Sequence, residues 1–244
     1  MNIIYLDEVK STNLYLHELL RKDDCEEGTC VRAGFQTAGR GQQGNFWESE
    51  AGKNLTCSLV LYPDFLSIME QFIISQMVSL AIKEVLDQYT ENISVKWPND
   101  IYWKEKKIVG ILIENSVMGA NIEHSIIGIG LNLNQDEFVS DAPNPVSLKQ
   151  ITGREFEINC ILHELLNAIY TLYLKLLRGG DEEIRSRYFE SLYRKDGYFP
   201  FADETNGRFL ARIVEVQPTG RISLQTEQGE IREYYFKEVA FEHN

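Results

Sequence analysis

Apolar side chains recur along this chain at two different periods, and these periods separate helices from strands. Residues 66–89 carry apolar residues at helical spacing, which predicts a helix with one face in the core. Residues 159–177 and 181–193 follow the same period and are separated by a Gly-Gly helix stop. A shorter helix is predicted to begin at Ser11 or Thr12, since either hydroxyl is a good N-cap.

Strand-like runs fill the intervals between these helices. They occupy residues 29–36, 55–61, 93–97, 101–103, 107–114 and 124–132. Short polar turns join several of these runs. We therefore expect an α+β fold with a mixed, largely antiparallel sheet flanked by helices.

A different pattern begins near residue 199. Short strands joined by glycine-containing turns are predicted over residues 208–216, 221–225 and 230–236, the pattern of a small β-barrel. We expect two domains, residues 1–198 and residues 199–244. The second is expected to pack on the first, because roughly forty residues bury too little surface to be very stable alone.

Charge and composition exclude several classes of function. The formal net charge is 24 − 37 = −13, which disfavours a nucleic-acid partner. The chain has neither a run of about eighteen apolar residues nor a signal peptide, so we expect a cytoplasmic protein without a membrane partner. The cysteines and histidines lack metal-ligand spacing, so no metal site is expected.

Two predicted strands present faces that are almost bare backbone. Along residues 126–134, isoleucine and leucine alternate with Gly128, Gly130 and Asn132. Gly110 repeats the pattern in the neighbouring strand. Glycine inside a strand marks close approach by another group, so either a flat ligand lies on this face or the strands are bulged or packed tightly against a helix.

Two polar segments carry candidate chemistry. Residues 96–100 (Lys-Trp-Pro-Asn-Asp) form a predicted hairpin that holds a carboxamide and a carboxylate beside Lys96 and the downstream Lys107. Upstream, residues 39–44 contain three glycines and Arg40, a combination suited to an anion. The loop is neither a P-loop nor a dinucleotide fingerprint, because no clear helix follows. Together the segments suit a site that handles phosphate and a carboxylate and then delivers an amine.

In this order, the segments resemble the signature of biotin–protein ligases, and the likeness extends over nearly the whole chain. The matching residues are Ser11, Thr12, Asn13, Gln36, Trp47 and Lys107 with residues 39–41, 96–100, 110–114, 128–132 and 146–148. The lysine hairpin is highly specific and the glycine loop less so. The resemblance implies the biotin–lipoate ligase fold, related to class II aminoacyl-tRNA synthetases, with a C-terminal SH3-like β-barrel.

The resemblance also implies a two-step reaction. Biotin's carboxylate would attack the α-phosphate of ATP, giving biotinyl-5′-AMP and pyrophosphate. A lysine on the biotin carboxyl carrier protein or domain of a biotin-dependent carboxylase would then take the biotin and release AMP. Mg²⁺ would arrive with ATP rather than sit in a protein cage.

Each site residue receives a role from the same resemblance. Lys107 would bridge the biotin carboxylate and the α-phosphate, with Arg40 and Lys96 as supporting cations. Asp100 would orient the incoming amine or accept its proton, or else serve a purely structural purpose. The binding assignments are Ser11, Thr12, Asn13 and Gln36 for the biotin ring; Gly110, Gly128 and Gly130 for space around it; Trp47 for adenine; Asn132 for the nucleotide; Asn99 for MgATP; and Gly39, Gly41 and Gln42 for the phosphate loop.

Two departures from the family pattern change the expectations. Many relatives carry arginines where this loop has Gln42, Gln43 and Asn45, so we expect weaker electrostatic retention of the adenylate unless another cation compensates. The chain also starts almost at the catalytic segment, which leaves no room for the helix-turn-helix domain of repressor relatives. We therefore expect no operator binding.

Competing interpretations remain at this stage. A lipoate–protein ligase would share the fold and the two-step logic, but its arginine-pair, glycine-run and His-Asp loop is missing. A non-catalytic biotin or adenylate sensor would suit the glutamine-rich loop but not the intact Lys96, Asp100 and Lys107. A structural interaction module would explain neither the glycine-faced strands nor the lysine hairpin. The acceptor protein, the role of the C-terminal domain and the choice between monomer and homodimer are not fixed by the sequence.

Overall fold

The computed structural model describes residues 2–22, 25–42, 45–139 and 144–242. Its helices are α1 (Thr12–Leu20), α2 (Phe72–Leu86), α3 (Leu148–Thr152), α4 (Ile158–Leu177) and α5 (Asp181–Glu190), and a 3₁₀ turn at Ile68–Glu70 precedes α2. The first seven strands are β1 (Ile3–Val9), β2 (Cys30–Gln36), β3 (Leu55–Leu61), β4 (Ile93–Lys96), β5 (Asp100–Trp103), β6 (Lys106–Met118) and β7 (Asn121–Leu131).

These seven strands form one sheet in the order β1-β2-β3-β7-β6-β5-β4. Strands β1 and β2 run parallel, whereas the other neighbouring pairs in the described sheet are antiparallel. The predicted α+β fold with a mixed, largely antiparallel sheet is therefore confirmed.

Helices cover both faces of the sheet. Strand β3 is buried at every position, as expected for a central strand with a core on each side. The larger core joins α2 and α4 to one face, and a smaller cluster around Leu16 of α1 covers the other. Among the described helices, α4 is long and apolar enough to cross a membrane by length and composition. Its Ile161, Leu165 and Leu172 are buried in the larger core.

The sequence pattern missed four short elements. Two are β1, whose edge position mixes apolar residues with Asp7 and Glu8, and α3, which is too short to show a helical period. The sequence did contain a signal for α3, because Ser147 and Gln150 form a capping box at its start. The remaining two, β8 (Phe199–Asp203) and β12 (Val239–Phe241), lie in the C-terminal sheet.

The C-terminal sheet is antiparallel and is completed by β9 (Gly207–Val216), β10 (Ile222–Thr226) and β11 (Ile231–Tyr234), in the order β11-β10-β9-β8-β12. Its interior is apolar, with Phe201, Ala211 and Leu224 fully buried. The sheet contacts the first one through Trp97, whose indole Nε1 donates to the carbonyl of Gly220 at 3.0 Å. The hairpin of residues 96–100 therefore belongs to the first sheet and is also bonded to the C-terminal sheet.

We predict that Phe201→Ala destabilises the protein by about 3–5 kcal/mol, because it removes a fully buried ring and leaves a cavity. The Phe201 ring packs at centroid distances of 4.9 Å from Phe241 and 6.3 Å from Phe209. Urea unfolding measures the change. Leu210→Ala is the matched control, since Leu210 lies on β9 and is 43% exposed, and we expect it to cost no more than about 0.5 kcal/mol. Equal losses in the two variants would contradict this assignment of the core.

Candidate active site

A cavity of about 510 Å³ opens where β6 and β7 meet α1, the glycine loop and the C-terminal sheet. The structure brings most of the predicted site residues to its wall. They are Ser11, Thr12, Asn13, Gln36, Arg40, Gly41, Gln42, Trp47, Lys96, Asn99, Asp100, Lys107, Gly110, Gly128 and Gly130. Gly39 and Asn132 lie outside the lining. The residues that sequence reasoning grouped by chemistry are therefore neighbours in space.

An ion pair occupies the centre of the cavity wall. Lys107 Nζ lies 2.7 Å from Asp100 Oδ1. Strand pairing sets this geometry, since Asp100 is opposite Lys96 in the β4–β5 pair and opposite Gly110 in the β5–β6 pair. About a quarter of each charged side chain remains exposed, so both groups can meet a ligand.

Lys96 supplies a second ammonium group beside the same carboxylate. Its Nζ donates to the hydroxyl of Tyr102 at 3.1 Å and lies 5.4 Å from the ring centre of Phe241. Burial lowers the pKa of Lys96, Asp100 opposes that shift, and Lys107 adds to it. Burial also raises the pKa of Tyr102, so its hydroxyl stays protonated. The wall therefore presents two amines around one acid, an arrangement that can bind an anion.

The opposite end of the cavity is a network of neutral polar groups. The backbone N and Oγ1 of Thr12 donate to Gln36 Oε1 at 2.8 and 3.1 Å. Ser58 Oγ lies 2.6 Å from Thr12 Oγ1 and 2.5 Å from Asn13 Oδ1. Asn13 Nδ2 donates to Glu114 Oε2 at 2.7 Å. Each amide is thereby fixed in orientation, as recognition of a polar ring requires.

Sequence reasoning missed two members of this network, Ser58 and Glu114. Both could have been found from strand periodicity. Ser58 is directly opposite Gly128 in the β3–β7 pair, and Glu114 shares a face of β6 with Gly110. Glu114 also lies 3.7 Å from the Arg40 guanidinium, so it links the polar end to the glycine loop.

The glycine faces are packed by side chains of the protein itself. A Cβ at Gly130 would lie 2.3 Å from Trp47 Cε2, and one at Gly110 would lie 2.7 Å from Trp47 Cζ3. A Cβ at Gly128 would lie 2.3 Å from Asn13 Oδ1. Trp47 and Asn13 pack tightly on these glycines, and at Gly110 and Gly130 the partner is a loop tryptophan rather than a helix. The three glycines also line the cavity, so the flat-ligand interpretation stays a prediction. Within the part of the chain that the structure describes, the buried Nε1 of Trp47 has no hydrogen-bond partner.

The glycine loop folds back on itself beside this tryptophan. Trp47 N donates to Gly39 O at 3.1 Å, and a Cβ at Gly39 would lie 2.5 Å from the Trp47 carbonyl oxygen. Gln42 Nε2 donates to Asn99 Oδ1 at 3.1 Å, which joins the loop to the lysine hairpin. Gln43 lies outside the described residues, as does the third glycine of the loop.

Asn132 lies beneath the wall rather than in it. Its Nδ2 donates to Val146 O at 3.3 Å, and Val146 N donates to Lys107 O at 3.0 Å. Asn132 Oδ1 is buried and has no hydrogen-bond partner among the described residues. The geometry therefore makes Asn132 a brace for the segment beside Lys107, with one acceptor atom left over.

Comparisons with known proteins agree with this geometry. Residues 5–132 match the model of the biotin/lipoate A/B protein ligase family. The bifunctional ligase/repressor BirA of Bacillus spizizenii is 30% identical over 242 residues, which are 98% of this chain and 73% of that protein. The biotin–[acetyl-CoA-carboxylase] ligase of Paracoccus denitrificans is 33% identical over 165 residues, which are 65% of this chain and 68% of that protein.

The fold comparison extends over the full chain. A structure of the biotin protein ligase from Aquifex aeolicus in complex with biotin and ATP superimposes with a TM-score of 0.81 at 29% identity, covering 100% of this chain and 99% of that one. Sequence, fold and the arrangement of the cavity lead to one conclusion: this chain belongs to the biotin/lipoate A/B protein ligase family.

Proposed function

We propose that this protein is a biotin–protein ligase, which activates biotin with ATP and transfers it to a lysine of a biotin carrier domain. The observation that carries the proposal is the Lys107–Asp100 pair, 2.7 Å apart, between a polar pocket and a glycine loop in one cavity. The likeness to the Aquifex aeolicus ligase in complex with biotin and ATP supports the choice of substrates.

In the first step, a carboxylate oxygen of biotin attacks the α-phosphorus of ATP. The new P–O bond forms as the bond to pyrophosphate breaks, and pyrophosphate leaves with the electron pair. Negative charge accumulates on the carboxylate and phosphate oxygens in this transition state. Lys107 stabilises that charge, because a preorganised cation needs no rearrangement as the charge develops. The network of Thr12, Asn13 and Gln36 holds the biotin ring at the other end.

In the second step, the neutral ε-amine of the acceptor lysine attacks the carbonyl carbon of the mixed anhydride. AMP leaves and the amine loses a proton. Asp100 is placed to orient this amine or to take the proton, since its carboxylate lies in the cavity wall against Lys107. Lys96 helps to balance the charge of the departing phosphate.

The adenine part of ATP belongs beside Trp47 and Asn132 in this proposal. Trp47 offers an indole ring at the wall, and the unpartnered Oδ1 of Asn132 can accept an N–H from a base. Because Trp47 now covers Gly110 and Gly130, its ring has to shift if a ligand is to lie directly on those strands.

Magnesium enters with the nucleotide. The described residues contain no group of three or more His, Cys, Asp or Glu side chains placed to hold a metal ion. When bound, Mg²⁺ would neutralise phosphate charge, and Asn99 and Asp100 of the cavity lining offer side-chain oxygens that could help to hold it.

The wider setting follows from the same proposal. The acceptor is a biotin carboxyl carrier protein or domain of a biotin-dependent carboxylase, and the reaction takes place in the cytoplasm. Residues 1–198 form the catalytic domain, and residues 199–244 form a small β-domain that closes one side of the cavity.

Lys107→Ala should lower the rate of carrier labelling by about a hundredfold or more, because it removes the cation at the reacting atoms. Intact mass spectrometry of a carrier domain incubated with MgATP and biotin measures the rate. Lys106→Ala is the matched control, since this exposed neighbour lies outside the cavity. Equal labelling by both variants would remove Lys107 from the mechanism. Tight biotin binding by an unmodified chain that labels nothing would favour the sensor.

Gln42→Arg should slow release of the adenylate about tenfold, because a charge-assisted hydrogen bond replaces a neutral contact at the loop. Gln42→Glu should speed release. Mass spectrometry of adenylate retained after rapid filtration follows the three proteins. Identical release from all of them would show that loop charge does not control retention.

We expect no sequence-specific binding to operator DNA, since the net charge of −13 opposes the phosphate backbone. Gel-shift titrations at low and physiological salt test this, with competitor DNA added to separate specific from non-specific complexes. A salt-sensitive, sequence-specific shift would contradict the expectation.

A further inference from the structure

The C-terminal sheet supplies part of the cavity wall. The segment that joins β11 to β12, together with β12, places Phe236, Lys237 and Phe241 along the lining. Its position is fixed by Trp97, whose ring centre lies 6.1 Å from that of Phe236 and whose Nε1 donates to Gly220 O. Because Trp97 belongs to the same hairpin as Asp100, this wall is held in register with the reacting groups.

Lys237 adopts an unusual backbone conformation at this wall. Its φ is +73°, in the left-handed region that favours glycine. The turn that contains it is closed by a 3.1 Å bond from Glu238 N to Tyr235 O and by a 2.6 Å bond from Tyr235 N to Glu238 Oε2. An L-residue in this conformation is sterically disfavoured relative to a right-handed one. What points to a use for its side chain is its place in the cavity lining, since Lys104, also at positive φ, lies outside it.

The charges already in the wall show what that use would be. Lys107 is paired with Asp100 at 2.7 Å, and Arg40 faces Glu114 at 3.7 Å. Lys96 is half-buried and bound to the Tyr102 hydroxyl. In the glycine loop, the residue after Gly41 is Gln42, which carries no charge. A triphosphate is strongly anionic, so a further cation from outside the loop would compensate for this neutral side chain.

The position of Lys237 indicates which end of a bound nucleoside triphosphate it would lie near. A second groove, of about 520 Å³, adjoins the cavity and shares Gln42, Asn99 and Lys237 with it. Ser11, Thr12 and Asn13 of the polar pocket do not line this groove. Lys237 therefore lies at the end of the site remote from the polar pocket, where the groups that leave after attack at the α-phosphate would extend.

We propose that Lys237 contacts the β- and γ-phosphates of ATP and the pyrophosphate that departs from them. This inference rests on the proposed function of the same cavity. The Lys237 side chain would balance the charge that pyrophosphate gains when its bond to the α-phosphorus breaks. The C-terminal domain thereby contributes directly to the first step.

Exchange of labelled pyrophosphate into ATP, with biotin present and no carrier, tests the proposal. We expect Lys237→Met to raise both the KM for ATP and the inhibition constant for pyrophosphate about tenfold, as loss of one charged contact predicts. The KM for biotin should not change, and Lys237→Arg should keep most of the affinity. Lys104→Met is the matched control, because Lys104 also has a positive φ, of +53°, and lies outside the cavity lining.

Two outcomes, one from the exchange assay and one from a separate transfer assay with the carrier domain, would overturn the inference. One is an unchanged KM for ATP in Lys237→Met. The other is a defect confined to the KM for the carrier domain, which would make Lys237 a docking residue. Lys237→Gly serves as a second variant that removes the charge while relieving the positive φ, should the methionine variant fold poorly.

Calorimetry with inorganic pyrophosphate alone keeps this inference separate from the proposed function, since it needs no adenylation. Weaker binding to Lys237→Met than to Lys104→Met would support the phosphate contact even in a protein that exchanges nothing. Equal binding would overturn it. Failure of the unmodified chain to exchange pyrophosphate with any acyl substrate would refute the ligase instead.

Discussion

The antiparallel pairing of β4, β5 and β6 is the constraint on which the rest of the site depends. The hairpin register puts Asp100 opposite both Lys96 and Gly110, and Lys107 then meets the carboxylate at 2.7 Å. A slip of one residue would turn these side chains to the other face of the sheet. Trp97 of the same hairpin donates to the carbonyl of Gly220 and so ties the hairpin to the second sheet. One short hairpin therefore positions both the charged groups and the C-terminal wall.

Side chains pack closely on the glycines that line the cavity. Trp47 and Asn13 lie so near Gly110, Gly130 and Gly128 that no β-carbon would fit without movement. The loop tryptophan is held at its backbone by Gly39 rather than by any bond to its indole nitrogen. The cavity wall therefore combines the charged groups of the hairpin with an aromatic ring from the loop.

Much of this arrangement could be predicted from the sequence, because long periodic segments carry strong local signals. Strand β3 was predicted with the observed bounds, and α4 to within one residue at its start. Strand β1 and helix α3 were missed, since an edge strand with mixed polarity and a single helical turn have no period to detect. The 66–89 segment was predicted as one helix, whereas a 3₁₀ turn precedes α2.

The candidate site, like the fold, was predicted in part from the sequence. Residue types and spacing found the lysine hairpin and the glycine loop, which the fold brings into one cavity. The partner of each group depends on contacts between distant segments, and no local pattern reports those. Lys237 was overlooked for this reason, whereas Ser58 and Glu114 share strand faces with the glycines and could have been found from periodicity. The roles of the individual site residues stay predictions.

The central claim is that this cavity joins biotin to AMP. Its most direct measurement is the product formed by the unmodified protein with MgATP and either biotin or lipoate, without any carrier, resolved by chromatography and mass spectrometry. The account predicts biotinyl-5′-AMP and an equal amount of pyrophosphate, with little product from lipoate. Lipoyl-adenylate as the main product, or bound biotin with no pyrophosphate, would contradict it.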